Sequence, residues 1–315
     1  MPEAPLVELL PAPPRKFVLD LLRLVPDLTP EETRDTMRGV GDHIRDVAPV
    51  LLWKILGALP PRADRVPSVQ ILTDEPAVPW ELALIDVDEL RDPNAPPFLG
   101  AQYEVGRWTL ARQRPTTPPP SECRQTPMTV FLGKYEGARW RALPEAQEEA
   151  DALATLYQAS MQQSNYANVV KAFNGQSVPE VVHFALHGQY GGGEGGLILG
   201  DKETLRPLSV RGLRFTSKPF VFLNACEAGV SEPTLSLFTG LPGAMLVAGA
   251  SAVVAPLWKV NDGIAKEVAL HFYAGVTKGL TAGAALRNVR RAFSDQPHTT
   301  HLAYQLFGDP NVRFK

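Results

Sequence analysis

Two short stretches constrain this chain more than any others: Val181-Val182-His183-Phe184-Ala185-Leu186 and Phe220-Val221-Phe222-Leu223-Asn224-Ala225. Both are apolar, β-prone runs of strand length, which reads as buried strand rather than half-solvated strand. Each stops at a reactive side chain and a glycine follows. The first ends in His187-Gly188, and the second in Cys226 with Gly229 close behind. A buried strand that ends in a reactive residue and a glycine-bearing turn is how an α/β protein presents chemistry at a sheet edge.

The pattern around these runs is a repeated alternation of strand and helix. After residue 121, Met128–Leu132 reads as a strand. Pro144–Tyr157 reads as a helix with Ala146, Ala150, Leu153 and Leu156 on one face, and Tyr166–Phe173 as a second helix. Leu241–Gly249 reads as a helix, Ser251–Trp258 as a strand, and residues 263–277 and 281–294 as helices. Strands alternating with helices over this length predict an α/β fold with a mainly parallel sheet flanked by helices. The glycine run 191–196 opens no helix and is followed by no Lys-Ser/Thr pair, so it is not a phosphate-binding loop. It reads as the tip of a hairpin before Leu197-Ile198-Leu199.

Upstream, the organisation is different. Residues 1–60 read as a helical region that packs on the sheet or serves as a docking or regulatory module. Phe17, Leu19, Leu21, Leu22 and Leu24 fit a short helix. Thr29-Pro30-Glu31-Glu32 has the form of a helix start with a capping box, continued by Met37, Val40, Ile44 and Val47 at helical spacing. Residues 61–120 carry strand-like runs at Val69–Leu72 and Tyr103–Leu110, with a turn at Asp74-Glu75-Pro76 between the first run and Val78-Pro79-Trp80-Glu81-Leu82. Trp80 beside Glu81 reads as a ligand contact or, more simply, as a core indole next to a carboxylate that holds a loop. Arg112–Ser121 is proline-dense and lacks hydrophobic periodicity, the mark of a linker and of a site of proteolytic nicking. Residues 121–315 form the remaining part, and both strand ends lie in it.

Composition removes several classes. The 315 residues are 44% hydrophobic and 21% charged with a net charge of −3, ordinary values for a soluble globular chain and no footprint for direct nucleic-acid binding. No apolar run is long enough for a membrane span, and the N-terminus has neither the basic nor the apolar part of a secretory signal. With two cysteines, Cys123 and Cys226, there is no disulfide framework and no CxxC zinc site, and a cytoplasmic location is the expectation.

A thiol near its reference pKa of about 8.5 is mostly protonated at neutral pH and needs an adjacent base. An imidazole supplies one, so His187 and Cys226 together read as a base and a nucleophile. The Gly188 N–H and the Cys226 N–H are the candidate oxyanion donors. Those roles describe a thiol acyl-transfer site, most simply a peptidase. The plainer alternatives are a small core cysteine and a structurally satisfied histidine. His183 lies four residues before His187, on the same side of a strand, but no third ligand is near, so no metal is expected. Cys123, next to the linker, reads as a surface thiol.

His183-Phe-Ala-Leu-His187-Gly188 and Ala225-Cys226-Glu227-Ala228-Gly229 resemble the His and Cys motifs of CHAT-domain proteases, caspase-like cysteine peptidases related to separase. Val78-Pro79-Trp80-Glu81-Leu82 resembles the family's Pro-Trp-Glu-Leu segment. Ala250–Asp262 resembles the strand after the cysteine motif, and Phe272-Tyr273 and Phe307-Gly308-Asp309-Pro310 its last helix and closing segment. The resemblance spans residues 35–315, with the motifs in the family's order. It implies a caspase-like fold, His187 as general base, Cys226 as nucleophile and no cofactor. Asn224-Ala225-Cys226 stands where caspases have Gln-Ala-Cys, so cleavage after aspartate is not implied. Asp262 matches the acid that lines the substrate pocket in separase-like relatives; its other reading is the N-cap of the helix that follows. In the pocket, it would favour a basic residue before the cut. The resemblance further implies a specific protein substrate encoded nearby, an activating protein or signal, and a place in bacterial immunity or regulated death. A catalytically idle scaffold or binding protein on the same fold, or a non-proteolytic thiol enzyme, are the rival readings.

Overall fold

The computed structural model describes residues 28–59, 66–73, 78–86, 90–108, 119–137, 139–175, 178–189, 196–201, 203–225, 240–296 and 298–315. Cys226, the stretch 1–27, the turn at 74–76, most of the linker (112–118) and the glycine run 191–195 lie outside the described residues.

Helix α1, Pro30–Val47, begins as its sequence dictates. The Thr29 hydroxyl accepts from the Glu32 N–H, the Glu32 carboxylate accepts from the Thr29 N–H at 2.9 Å, and Pro30 occupies the first turn. Met37, Val40 and Ile44 form its buried stripe. Helix α2, Val50–Ala58, follows at once and buries Trp53 and Leu56.

The centre of the molecule is one eight-stranded sheet. In chain order its strands are β1 (Ser68–Leu72), β2 (Glu104–Trp108), β3 (Met128–Leu132), β4 (Ser160–Gln163), β5 (Val181–Ala185), β9 (Phe220–Asn224), β10 (Ala252–Pro256) and β11 (Tyr304–Phe307). A separate three-stranded ribbon is formed by β6 (His187–Gln189), β7 (Gly196–Gly200) and β8 (Glu203–Leu205). The spatial order of the main sheet is β1-β2-β11-β10-β9-β5-β3-β4. Every pairing is parallel except β11 with β10. The strands of 61–120 and those of 121–315 therefore share a single sheet, and β2 covers the outer edge of β11. An exposed edge there would be a template for unwanted pairing.

Helices cover both faces, as the alternation of side chains along β5 requires. Phe184 stacks on Phe131 of β3 at 5.2 Å and meets Phe173 of α4 (Tyr166–Asn174). On the opposite face His183 stacks on Phe222 of β9, which packs on Phe272 and Tyr273 of α6 (Asp262–Thr277). Helix α6 lies between α3 (Pro144–Tyr157) and α7 (Ala282–Ala292). Helix α5, Leu241–Ala248, packs on β10. Truncating a fully buried phenylalanine such as Phe184 or Phe222 would cost about 3–5 kcal/mol.

The Trp80–Glu81 pair is a structural device. Both side chains are buried, and the Glu81 carboxylate accepts a two-pronged hydrogen bond from Arg107 of β2, with each side chain 1% exposed. Cys123 is also buried rather than on the surface. Its two-residue strand, Glu122–Cys123, pairs with Arg313–Phe314, and its thiol points to the Arg313 carbonyl. The chain turns after β11 at Gly308, whose φ of 155° and closeness to Ala252 leave no room for a Cβ.

Candidate active site

Five parallel strands, β3, β4, β5, β9 and β10, end on the same edge of the sheet, and the candidate site is built there. Register matters most. Strands β5 and β9 pair residue for residue from Val181 with Phe220 to Ala185 with Asn224. The ladder continues one step further through the Leu186 N–H, which donates to the Asn224 carbonyl at 3.2 Å. His187 and Cys226 each stand two residues beyond the last pair.

His187 is the first residue of β6 and half-buried. Its ring contacts Tyr135 and Trp140, with centroids 4.7 and 5.3 Å away. Its Nε2 lies 2.7 Å from the Arg141 carbonyl oxygen. A carbonyl only accepts, so Nε2 carries the proton and Nδ1 of the neutral ring keeps its lone pair. The Tyr135 hydroxyl accepts from the His187 backbone N–H at 2.9 Å and donates to the Ile198 carbonyl at 2.7 Å. Tyr135, Trp140 and Arg141 all belong to the loop between β3 and α3.

Below the second strand end is a buried polar chain. The Asn224 amide nitrogen donates to both oxygens of Glu149 on α3, at 2.8 Å each. The Asn224 amide oxygen accepts from Tyr304. The other side of Glu149 faces His183, whose Nε2 is 3.0 Å away without the alignment of a hydrogen bond, and His183 Nδ1 lies 3.2 Å from the Tyr273 hydroxyl. Burial pushes the Tyr273 hydroxyl well above its ordinary pKa, with the Glu149 charge adding to the effect, so it stays protonated. His183 thus belongs to the core, apart from His187, and the described residues hold no cluster of three metal-ligating side chains.

An open cleft runs along this edge. Leu143, Ala146, Val260 and Ala265 give it aliphatic walls; Glu149, His187, Asn224 and Asp262 supply its polar lining, and Ala225 reaches it as well. Asp262 is the first residue of α6, but it does not cap the helix. Asn261 does, accepting from the Ile264 N–H at 3.2 Å. Lys266, one turn along, is engaged elsewhere: its Nζ lies 2.6 Å from Glu145 and 2.7 Å from Glu148 of α3. Those two hydrogen bonds raise the Lys266 pKa. Gly188 lies in β6 opposite Leu197. Cys226 is bonded to Ala225 and is outside the described residues. The other thiol, Cys123, is pushed up to about 12 by burial, which leaves it unreactive.

The CHAT-domain family model matches residues 51–307. The chain belongs to the CHAT-domain family. No individual curated protein matches it in sequence. Among solved structures, this CHAT domain is similar to the arginine-specific cysteine proteinase gingipain R, with a TM-score of 0.55, 11% identity, and coverage of 96% of this chain and 75% of that one. It is similar also to the complex of the Porphyromonas gingivalis RgpB pro- and mature domains, at a TM-score of 0.51, 10% identity, and coverage of 96% and 78%. A Saccharomyces cerevisiae separase–securin complex matches at a TM-score of 0.47 and 14% identity over 68% of this chain, which spans only 14% of the length of that one. The likeness to gingipain R is one of fold, a caspase-like sheet flanked by helices.

Several residues of the site escaped the sequence reading. Tyr135, Trp140 and the Arg141 carbonyl sit in a stretch without periodicity, where only the aromatic residues of a strand-to-helix loop gave a signal. Glu149 could have been found. It shares the buried helical face of Ala146, Ala150 and Leu153, where a carboxylate needs a partner.

Proposed function

We propose that this CHAT domain is a cysteine endopeptidase in which His187 is the base and Cys226 the nucleophile. The observation that carries the reading is the matched register: two neighbouring parallel strands, each followed after two residues by one member of the pair. The hydrogen bond to Arg141 supports the assignment of Nδ1 as the basic nitrogen. In the first step His187 Nδ1 takes the thiol proton, and the thiolate attacks the scissile carbonyl carbon. The developing oxyanion is received by the Gly188 and Cys226 N–H groups. The imidazolium then protonates the leaving amine, giving a thioester that water hydrolyses with His187 again as base.

The cleft supports a basic residue before the cut. Its aliphatic walls suit a long stem, and Asp262 is one of its lining residues, with the neighbouring lysine held by two glutamates. The substrate on this reading is a specific protein, encoded nearby, in a bacterial immunity or regulated-death pathway in the cytoplasm, with cleavage released by an activating protein or signal. A second reading, a binding protein with an idle dyad, draws on the apolar side chains that α2 leaves exposed, Val50, Leu51 and Ile55.

The test is cleavage of a peptide library by wild type, Cys226→Ala and His187→Ala. Activity in wild type alone, with basic residues before the cut, supports the proposal. Cleavage surviving both substitutions sinks it. An Asp262→Asn variant that keeps the same preference would remove the pocket assignment.

A further inference from the structure

The base is held in place by a side chain that neither the family motifs nor the sequence pattern marks. We propose that Tyr135 is a positioning residue for His187: its hydroxyl is built into the backbone between β6 and β7 and sets where the imidazole stands. The proposal rests on the peptidase reading for its kinetic consequence, but its structural content is independent of it.

Three observations carry it. First, His187 and Ile198 are opposed in the β6–β7 ladder, yet the His187 N–H is accepted by Tyr135 and the Ile198 carbonyl is supplied by Tyr135. The hydroxyl therefore ties the backbone of both strands together at His187 itself. Second, the same residue presses its ring against the imidazole at 4.7 Å, so main chain and side chain of His187 are fixed by one residue. Third, the loop that carries Tyr135 is anchored. The Asp201 carboxylate, just after β7, accepts from the Glu136 and Gly137 N–H groups at 2.9 Å each. That loop also brings the Arg141 carbonyl to Nε2. Burial raises the Tyr135 hydroxyl pKa, so it remains a donor to Ile198 throughout the working pH range.

Without the hydroxyl, the His187 N–H and the Ile198 carbonyl each lose a buried partner, and the start of β6 that carries the imidazole is held less firmly. His187 is then free to shift relative to the Arg141 carbonyl that fixes its tautomer. A misplacement of about 1 Å in a catalytic group costs about 100-fold in rate.

The experiment compares full-length wild type with Tyr135→Phe, which keeps the ring and loses only the oxygen. Nitrogen-15 spectra of the imidazoles read the His187 tautomer, and a fluorogenic peptide ending in arginine reads kcat and KM. The expected result is a single Nε2–H tautomer in wild type, a mixture in the variant, and a roughly 10- to 100-fold loss of kcat with KM within about twofold. A variant with the wild-type tautomer and wild-type kcat overturns the proposal. If wild type cleaves nothing without its activating signal, the tautomer comparison alone decides the positioning role. Should Tyr135→Phe not fold, hydrogen exchange of the His187 amide in wild type decides instead. Protection supports acceptance by the buried hydroxyl, and exchange at the rate of a free amide refutes it.

Discussion

Glu149→Gln is the sharpest test of how the strand that leads to Cys226 is held. The residue is 2% exposed, and the Asn224 amide nitrogen lies 2.8 Å from each of its side-chain oxygens. A glutamine keeps the shape and replaces one oxygen by NH2. Whichever way that amide turns, one donor ends 2.8 Å from the Asn224 donor. Two effects compete. Loss of a buried carboxylate relieves a desolvation cost, whereas the opposed donors break a buried hydrogen bond to a charged group. The second wins here, because the strand end cannot retreat: Asn224 is also fixed by Tyr304, and its carbonyl accepts from Leu186. The expected cost is about 1–3 kcal/mol. For a chain of this size the unfolding entropy is roughly 0.7 kcal/mol per kelvin, so the melting temperature should fall by about 2–5 °C. Asn224 stands two residues before Cys226, so the same displacement should lower peptidase kcat by about tenfold or more. Calorimetry and peptide cleavage are the assays. A Glu149→Gln protein that melts within about 1 °C of wild type and cleaves at the wild-type rate would refute the argument.

Two further outcomes are expected. His301 is buried, and that burial, with the nearby Arg290 charge, lowers its pKa to about 4 from the ordinary 6.5. Above pH 6.5 it is neutral folded or unfolded and stability is full; between 6.5 and 4 only the unfolded chain takes up the proton, so stability should fall by about 3 kcal/mol across that window. Denaturant titrations at pH 7 and pH 4 on wild type and His301→Leu check this, and an equal loss in both proteins would count against it. Cys123→Ala should cost about 1 kcal/mol of stability, leave cleavage unchanged and leave iodoacetamide labelling at neutral pH on Cys226 alone; mass spectrometry of the labelled peptides reads it.

The fold was legible because the chain obeys local rules almost everywhere. Thr29–Glu32 announces α1, and the fully apolar runs of β5 and β9 have no stable place but the middle of a sheet. What local rules could not supply was partnership. Nothing in Tyr103–Leu110 says that β2 lies beside β11, two hundred residues later, because register is decided by packing and not by composition. The short polar strand β4, Ser160–Gln163, was missed because it is an edge strand with an exposed face and carries no apolar signal. The site was half legible. His187 and Asp262 end or follow predicted strands. Asp262 was open between pocket and cap, and Asn261 takes the cap because its side chain, one residue earlier, reaches the Ile264 N–H. Cys123 was misjudged from its proline-rich neighbours, and a two-residue strand pairing with the C-terminus buries it.

The linker offers a last test of how the chain is built. Arg112–Ser121 divides the sequence, yet the contacts across it are those of one core. Arg107 pairs with Phe307 in the ladder, and its carbonyl accepts from the Gly308 N–H at 2.8 Å. The Thr281 hydroxyl donates to Glu104 at 2.7 Å, and the Arg290 guanidinium donates to the Gly100 carbonyl at 3.2 Å. Arg290 is fully buried, and that burial lowers its pKa to about 10, so it is still a cation at neutral pH. Separating the two parts would take the Gly100 carbonyl from this cation, leaving it only Tyr304 and Gln305, and open the edge of β11. A protease cut between residues 112 and 118 should therefore leave two fragments that co-elute on native size exclusion and part only in denaturant. Fragments that separate in native buffer would show that the shared sheet contributes less to cohesion than its hydrogen bonds imply.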